Sequence, residues 1–473
     1  MDTHLPYDKT NPKSIEQHAI KLLNKSLRIL YGNSIEQDKT HKGKLGQLVE
    51  ELHFHYKPNS KSKADFSEAG VELKTTPIKQ IKKGFSAKER VIFGIINFKK
   101  EYKTSFEESG FWKKNAFILL MFYLYKKDQL DIDAIFKIIR LWRFPDADLR
   151  IIMDDWGKII HKIKLGKAHE ISESDTLYLG ACTKGANKNS TRKQPFSDIP
   201  AMQRAFSLKP KYLNYIISIS LPANEEIFNK EEYGNLLKSG ISLAAEPIIG
   251  YIGGNTFAPE PIVKDINEYK KGETFEDLVI RKFKTYYGWS EQKLMSYFNI
   301  RTIAKSKYAM IAKAILGIKG EQIEEFLKAD ILMKTVRLQF AGTLKESMSF
   351  KQIKFKEIIN EEWELSTWYE ELNRRFFFII FQEDENGVYK LCNVKFWALP
   401  PTDMNILQSV WEDTKNKIKI NDFDNFIKAS DKKIGHVRPK GRDSQDLMET
   451  QDGSMQKKKC FWLNSSYIVK KIL

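Results

Sequence analysis

Two carboxylates and one ammonium group stand close together in the segment ADFSEAGVELKTTP, as Asp65, Glu72 and Lys74. Apolar and polar residues alternate in its second half, which predicts a strand. Side chains of a strand alternate between its faces, so Glu72 and Lys74 share a face about 7 Å apart, and Asp65 approaches from the preceding turn. Such carboxylates suit a divalent metal ion that activates water beside a phosphate. The segment therefore predicts a magnesium-dependent nuclease with Asp65 and Glu72 as metal ligands.

The motif by itself is only moderately specific, because Glu-x-Lys is also frequent as a plain alternation of charge on exposed strands. The upstream segment GKLGQLVEE favours a site, since Glu50 and Glu51 stand on a predicted helix over 42–52. We expect Glu50 to join the acidic cluster, and an ordinary helix-surface charge is the alternative. Downstream, Lys88 and Arg90 stand at the mouth of a predicted strand, where a phosphate contact and a salt bridge are both open.

A basic segment is the second candidate for function. Residues 184–211 hold seven Lys or Arg against one acid, Asp198, and residues 183–196 are rich in Gly, Asn, Ser and Thr. The cations of such a loop neutralise phosphates, and its amides and hydroxyls read base edges. The segment predicts a DNA-contacting loop, with a flexible solvated loop as the alternative.

Composition agrees with a nucleic-acid partner. The 473 residues suffice for two domains, and 78 Lys and Arg against 61 Asp and Glu give a net charge of +17. Three scattered cysteines without Cys-x-x-Cys spacing argue against zinc and predict a reducing cytoplasm. The first residues hold no apolar signal core, and the longest apolar runs, 116–125 and 376–381, are much shorter than a membrane span. We expect a cytoplasmic protein that binds nucleic acid and no membrane.

The elements that must position these residues follow from periodicity. Helix and strand patterns mix in the first part of the chain, with helices over 14–31 and 149–164 and strands over 70–76, 90–98 and 116–125. Such a mixture predicts an α/β or α+β domain. Residues 221–271 concentrate Gly and Pro without clear periodicity, which predicts a connector.

The second half of the chain weakly repeats the first. DDWGKIIHKIK at 154–164 matches SVWEDTKNKIK at 409–419, and RAFSLKPKYLNYII at 204–217 matches KCFWLNSSYIVKKI at 459–472. Between these matches, LGACTKGAN resembles IGHVRPKGRD in the same order. Matches that keep their order along the chain predict a duplicated domain.

A further match carries the functional information. AGVELKTTPI aligns with ADILMKTVRL, which places Lys334 at the position of Lys74 but Leu332 at that of Glu72. A leucine cannot hold a metal ion. The second copy is therefore predicted to bind without cutting, and chance similarity of two strands is the alternative. The predicted organisation is a catalytic domain, a connector and a non-catalytic DNA-binding domain, over 1–220, 221–271 and 272–473.

With these residues in place, the chain resembles the MutH-type family of GATC-specific endonucleases, and among them the two-domain type II restriction enzymes of staphylococcal type. The resemblance covers nearly the whole chain and is most specific in DFSEAGVELKTTP. It implies a restriction-endonuclease-like core, a mixed sheet flanked by helices, duplicated as two similar domains. It also implies magnesium-dependent cleavage of both DNA strands at 5′-GATC that leaves 5′-phosphate ends.

The resemblance assigns roles to single residues. Asp65 and Glu72 would be metal ligands, Lys74 would orient or deprotonate the attacking water, and Glu50 falls where the family has a helical glutamate. DNA contacts fall on two segments, at Lys184, Gly185, Asn187, Arg204, Ser207, Leu208 and Lys209. Ser207 stands where the mismatch-repair relative has a tyrosine that senses adenine methylation, so sensitivity to methylated GATC stays open. The second domain would bind another GATC site and stimulate the first.

Two alternative functions accompany this prediction. A strand-nicking mismatch-repair endonuclease uses the same chemistry, but the duplicated length argues against it. A non-catalytic DNA-binding regulator is the other, and the intact set of Asp65, Glu72 and Lys74 argues against that. Because one active centre does not readily cut both strands at once, a transient dimer on DNA is a further expectation.

Overall fold

In the computed structural model of the chain, the described residues are 5–32, 44–57, 63–81, 84–185, 190–220, 259–302, 304, 306–344, 347–431 and 433–472. They form two compact units, Met1–Glu268 with Gly320–Ala329 and Tyr269–Lys319 with Asp330–Leu473. Most of the predicted connector, from 221 to 258, lies outside the described residues. The predicted domain boundaries at 220 and 271 stay predictions.

Helices and strands occur in both units. The helices are α1 (Pro12–Ile20), α2 (Leu27–Tyr31), α3 (Lys44–Leu48), α4 (Gly110–Asn115), α5 (Asp146–Lys164), α6 (Pro210–Ser218), α7 (Phe275–Lys284), α8 (Glu291–Tyr297), α9 (Lys307–Ile315), α10 (Glu324–Ala329), α11 (Phe355–Ile358), α12 (Thr367–Leu372), α13 (Pro401–Lys419) and α14 (Ser465–Ile472). A π-helical turn, Val49–His53, continues α3. The strands are β1 (Glu72–Gln80), β2 (Phe85–Ala87), β3 (Ile92–Ile95), β4 (Phe117–Leu124), β5 (Ile135–Arg143), β6 (Leu179–Thr183), β7 (Thr191–Gln194), β8 (Ser197–Met202), β9 (Arg204–Leu208), β10 (Ile331–Leu338), β11 (Met348–Gln352), β12 (Arg375–Glu383), β13 (Tyr389–Ala398), β14 (Gly435–Pro439), β15 (Leu447–Glu449), β16 (Met455–Lys457) and β17 (Lys459–Leu463).

The first predicted helix, over 14–31, is two helices in the structure. The side chain of Asn11 caps the start of α1, and the hydroxyl of Ser26 caps the start of α2. Between them Asn24 has a φ of 59°, and a left-handed residue does not continue a right-handed helix. The prediction of one helix was therefore wrong, because apolar spacing alone does not show where the chain turns.

The main sheet of the first unit has the strand order β2-β1-β4-β5. β1 and β4 run parallel, and the other neighbours are antiparallel. The apolar run FILLMF of β4 is buried on both faces, as expected of a central strand. Helices α1, α3 and α6 pack on strands of this sheet. The predicted mixed sheet flanked by helices is therefore confirmed.

The first unit also holds an antiparallel sheet of order β3-β9-β6 and the hairpin β7-β8. The hairpin corrects the prediction of a loop over 183–196, because β7 occupies the last part of that segment. Most residues of β7 and β8 are exposed. Polar residues on both faces of an exposed hairpin produce the same composition as a loop, which is why the strand went unpredicted.

The second unit repeats this topology, except that no strand among its described residues corresponds to β2. Its strand orders are β10-β12-β13, β11-β17-β14 and β15-β16, and β10 runs parallel to β12 as β1 does to β4. Each unit also contains an equivalent buried hydrogen bond. It runs from the Tyr212 hydroxyl to Asp148 at 2.8 Å in the first unit and from the Tyr467 hydroxyl to Asp403 at 2.7 Å in the second. In both units the tyrosine follows the aspartate by 64 residues. The predicted duplication as two similar domains is therefore confirmed.

Each unit buries its own apolar core. In the first unit the core lies between α1, α3 and the sheet, and in the second unit it surrounds β12 and α13. Cys182, Cys392 and Cys460 are all free thiols. Over the described ranges, the structure contains no helix with both the length and the apolar character that crossing a membrane requires.

Candidate active site

A tight turn brings Asp65 and Glu72 together at the start of β1. The N–H of Phe66 donates to the carbonyl of Val71 at 2.9 Å, and the reverse bond measures 3.2 Å. Gly70 takes a φ of +66° in the turn, a conformation that glycine reaches without steric cost. The closed turn therefore spans the six residues that separate the two acids in the sequence.

Main-chain amides orient both carboxylates. The N–H of Asp65 donates to Glu72 Oε2 at 3.2 Å, and the N–H of Leu73 donates to Asp65 Oδ2 at 3.0 Å. Asp65 Oδ1 accepts no hydrogen bond from the part of the chain that the structure describes. The position of the acids is therefore set by the backbone of the turn, and one carboxylate oxygen is left for another partner.

Two lysines share the carboxylate of Glu72. Lys74 Nζ lies 2.6 Å and Lys114 Nζ lies 3.3 Å from Glu72 Oε1. The Glu72 side chain is 1% exposed, whereas each lysine side chain is 20% exposed. Burial raises the pKa of Glu72, and the two ammonium groups oppose that rise. The structure thus places Glu72 and Lys74 on one face of β1, and their catalytic roles stay predictions.

Lys114 was missed by sequence analysis, because strand pairing alone brings it to the site. β1 and β4 are parallel, with Glu72 opposite Ile118, so both strands begin at the same edge of the sheet. α4, which the Ser109 hydroxyl caps, ends just before β4. Lys114 lies in the last turn of α4 and reaches Glu72 from there. No local spacing in the sequence signals this contact.

Glu50 lies on the π-helical turn that follows α3. α3 packs so closely on β1 that a Cβ at Gly46 would lie 3.2 Å from Thr75 Oγ1. Burial raises the pKa of Glu50 to about 7, and the charges of Asp65 and Glu72 add to the rise. Glu50 is therefore electrostatically coupled to both acids at the start of β1.

Tyr56 is a second residue that sequence analysis missed. Its N–H donates to the Glu50 carbonyl at 3.0 Å, and its ring packs 5.5 Å from that of Phe66. Its hydroxyl is buried without a hydrogen-bond partner among the described residues. Burial, and then the charges of Asp65, Glu50 and Glu72, raise the pKa of this phenol. The hydroxyl is therefore a neutral hydrogen-bond donor available at the acidic cluster.

We expect the Glu50→Gln variant to be more heat-stable than the unsubstituted chain at about pH 8 in EDTA, and equally stable near pH 4.5. Folding raises the pKa of this acid, so the folded state binds its proton more tightly, and stability falls as the pH rises from 4.5 to about 7. Glutamine stays neutral and avoids this loss. Melting temperatures at both pH values measure the difference in stability. The control is Glu51→Gln, because Glu51 is the exposed neighbour of Glu50. A less stable Gln variant at the higher pH would contradict the expectation.

The donor set of the site fits magnesium. Among the described residues, no three His, Cys, Asp or Glu side chains are grouped as a ready metal cage. Mg²⁺ does not require one, since proteins usually hold it by one or two carboxylates together with water and substrate phosphates. Asp65 and Glu72 provide two carboxylates, and Asp65 Oδ1 is without a hydrogen bond from the described part of the chain.

Residues predicted to contact DNA lie on β9 and after β6. Lys184 and Gly185 directly follow β6 and are exposed. Arg204 begins β9, and its Nη1 donates to the carbonyl of Ala181 at 2.6 Å. Asn187 lies outside the described residues. Because β6 and β9 are paired, the structure brings Lys184 and Arg204 to the same end of this small sheet.

The other predicted DNA contacts are held inside the first unit. Ser207 and Leu208 are fully buried in β9. Lys209 Nζ donates to the carbonyl of Glu173 at 2.6 Å and to that of Thr176. In this structure Ser207, Leu208 and Lys209 make their contacts inside the first unit. A contact with DNA stays a prediction for all three.

Two cations near the start of β3 have protein partners. Arg90 Nη1 lies 2.6 Å from Glu173 Oε2. Lys88 Nζ lies 3.3 Å from Glu89 Oε1 and 3.9 Å from the ring centroid of Tyr125. Of the two alternatives that the sequence left open, the strand-end salt bridge is therefore the one that the structure contains.

A mixed sheet that presents two acids and two lysines at one edge is the arrangement of a restriction-endonuclease-like nuclease fold. Comparison with known proteins agrees with this class. The family described as "DNA mismatch repair enzyme MutH" matches residues 54–155, a range that contains Asp65, Glu72, Lys74 and Lys114. The chain is 36% identical to the Type II restriction enzyme Sau3AI of Staphylococcus aureus over 97% of this chain and 98% of that protein. The chain belongs to the MutH-like type II restriction endonucleases.

Proposed function

We propose that this protein is a type II restriction endonuclease that uses Mg²⁺ to cleave both strands of duplex DNA at 5′-GATC, leaving 5′-phosphate ends. One observation carries the proposal: the turn before β1 holds Asp65 and Glu72 together, with Lys74 2.6 Å from Glu72. Similarity to a type II restriction enzyme over 97% of the chain supports the reaction. The GATC sequence rests on the family resemblance of the segments described above.

Each residue of the site has a proposed task. Asp65 and Glu72 hold Mg²⁺, which supplies Lewis acidity at the scissile phosphate. Lys74 holds the attacking water in line with the leaving 3′ oxygen and stabilises the charge that develops on the phosphate. Lys114 adds a second positive charge beside Glu72. Glu50, whose pKa lies near 7, is suited to accept a proton at neutral pH.

DNA contact is proposed for the surface formed by the end of β6 and the start of β9. Lys184 and Gly185 are exposed there, and Arg204 stands on the paired strand. A lysine and an arginine at one edge suit contacts to the phosphate backbone and to base edges. Ser207 and Leu208 would reach DNA only through a rearrangement of β9, so we assign the first contacts to Lys184 and Arg204.

The second unit is proposed to bind another GATC site without cutting it. Leu332 stands opposite Phe376 in the parallel pair β10-β12, as Glu72 stands opposite Ile118 in β1-β4. An apolar side chain at this position removes a metal ligand, so the copy has no cutting centre of this kind. Binding there stimulates the first unit, and a transient dimer on DNA supplies the second cut. We propose that the enzyme works in the cytoplasm.

Digestion of supercoiled plasmid DNA tests this function. With Mg²⁺ we expect linear fragments whose ends map to GATC, and no cleavage in EDTA. A matched plasmid without GATC is the control, and adenine-methylated and unmethylated plasmids show the effect of methylation. Nicked circles alone would indicate the second candidate, a mismatch-repair nickase, which the MutH match over 54–155 favours. Intact plasmid under all conditions would indicate a non-catalytic DNA-binding protein.

A further inference from the structure

At the position that corresponds to the active site, the second unit carries different charged residues from the first. Leu332 replaces the strand acid Glu72. α4 and α12 are both six-residue helices capped by a serine, and their fifth residues are Lys114 and Glu371. The helix of the second unit therefore carries a carboxylate where the first unit has an ammonium group. Its strand carries a leucine where the first unit has a carboxylate. The metal-binding pair is therefore gone, but Lys334, the counterpart of Lys74, remains.

Lys334 differs from Lys74 in its partners. Lys74 pairs with Glu72 at 2.6 Å, whereas the Lys334 side chain forms no ion pair or hydrogen bond with the residues that the structure describes. Its side chain is half-buried and lines a cavity of about 280 Å³. We call this cavity the Lys334 pocket, and its polar lining residues are Lys334, Arg337, Tyr308, Thr335, Ser347 and Ser349.

The charges around Lys334 are mostly positive. Lys440 and Arg374 act on it as like charges, and Glu371 is the opposing acid. Glu371 is not part of the pocket lining, and its Oε2 accepts a hydrogen bond from the N–H of Lys351 at 3.0 Å. Lys440 Nζ donates to the Ser349 hydroxyl at the pocket edge at 2.8 Å. A half-buried cation that lacks an ion-pair partner among the described residues favours an anionic ligand.

We propose that the Lys334 pocket binds a phosphodiester group of duplex DNA without a metal ion. A lysine ammonium pairs with phosphate oxygens, and serine hydroxyls donate to them, which are the usual protein contacts to the DNA backbone. A phosphate here takes the place that the Glu72 carboxylate has beside Lys74 in the first unit. The proposal rests on the proposed binding of DNA by the second unit, and it adds the residue and the absence of a metal requirement.

Binding of a fluorescent GATC duplex to the full-length chain in EDTA tests the proposal. The duplex can bind at either unit, so the titration is fitted with two binding steps. We expect Lys334→Met to weaken one step about tenfold, the effect of losing one hydrogen bond to a charged group, and to leave the other step unchanged. Lys334→Arg keeps the charge and should stay near the affinity of the unsubstituted chain. Lys395→Met is the matched control, because it removes the same charge from an exposed position on β13, at the opposite edge of the sheet. Melting curves of all three variants establish that they are folded.

The outcomes separate specific binding from a general effect of charge. A loss in Lys334→Met alone supports the pocket, whereas equal losses in Lys334→Met and Lys395→Met, or no loss in either, overturn it. Inorganic phosphate is the second probe: if it stabilises the unsubstituted chain but not Lys334→Met while DNA affinity is unchanged, the pocket takes a free anion and the DNA proposal fails. Because the assay contains EDTA, it gives its answer whether or not the chain cleaves GATC.

Discussion

Replacing Glu72 by Gln is expected to lower the rate of plasmid cleavage by about 10³-fold or more. Glutamine has the same shape and keeps an oxygen for the N–H of Asp65, which donates to Glu72 Oε2 at 3.2 Å. It removes the charge that holds Mg²⁺ in the proposed site and that pairs with Lys74 and Lys114. Binding of DNA in EDTA should be nearly unchanged, because the proposed DNA surface at β6 and β9 is untouched.

The control for this prediction is Glu51→Gln. Glu51 is exposed on the same π-helical turn as Glu50, so its substitution removes one charge near the site without touching Glu72. Initial cleavage rates of both variants on the same GATC plasmid give the comparison, and melting curves show whether each is folded. If Glu72→Gln cuts as fast as Glu51→Gln, Glu72 is not a metal ligand and the proposed site is wrong.

Lys328→Met is expected to destabilise the first unit by about 3–5 kcal/mol. Lys328 is 3% exposed, and its Nζ lies 2.8 Å from both carboxylate oxygens of Asp148 and 2.6 Å from Glu324 Oε1. Burial disfavours the ammonium form, but the charges of Asp148 and Glu324 outweigh it and raise the pKa of Lys328. Methionine fills a similar volume but leaves Asp148 buried with the Tyr212 hydroxyl, at 2.8 Å, as its one side-chain partner among the described residues.

Calorimetry of the full-length chain measures this effect, since two units need not unfold in one transition. Lys328→Met should lower the temperature of one unfolding transition. Adding Asp148→Asn should restore part of that temperature, because the second change removes the unpaired charge. Lys354→Met is the control: Lys354 pairs with Glu357 at 2.9 Å on the surface, where an ion pair is worth at most about 1 kcal/mol. Equal shifts in the two lysine variants would contradict the buried ion pair as a source of stability.

The position of Lys328 also affects how the second unit is tested. Residues Gly320–Ala329 belong to the first unit, although they follow part of the second unit in the chain. A truncation at 220 or 271 would therefore remove Lys328 from Asp148 as well as remove the second unit. Point substitutions such as Lys334→Met leave the first unit intact, and they are the better test of binding by the second unit.

Much of the candidate site was predictable because its parts are local. Alternation along a strand places Glu72 and Lys74 on one face, and a closed turn of fixed length returns Asp65 to Glu72. The repeat predicted the duplicated fold. It also predicted that Leu332 takes the position of Glu72, since an internal comparison needs only the order of residues. The helix over 14–31 failed for the opposite reason, because its caps and the left-handed Asn24 are not part of the apolar pattern.

The sequence by itself determined the acidic turn, the lysine two residues beyond Glu72, and the loss of the acid in the second copy. Only the tertiary structure decided that Lys114 joins Glu72, that the Tyr56 hydroxyl is buried at the cluster, and that Lys328 returns to the first unit. Strand and turn geometry acts over a few residues and leaves a period in the sequence. The direction in which β1 and β4 pair, and the burial that follows, depend on segments far apart in the chain, and no local period records them.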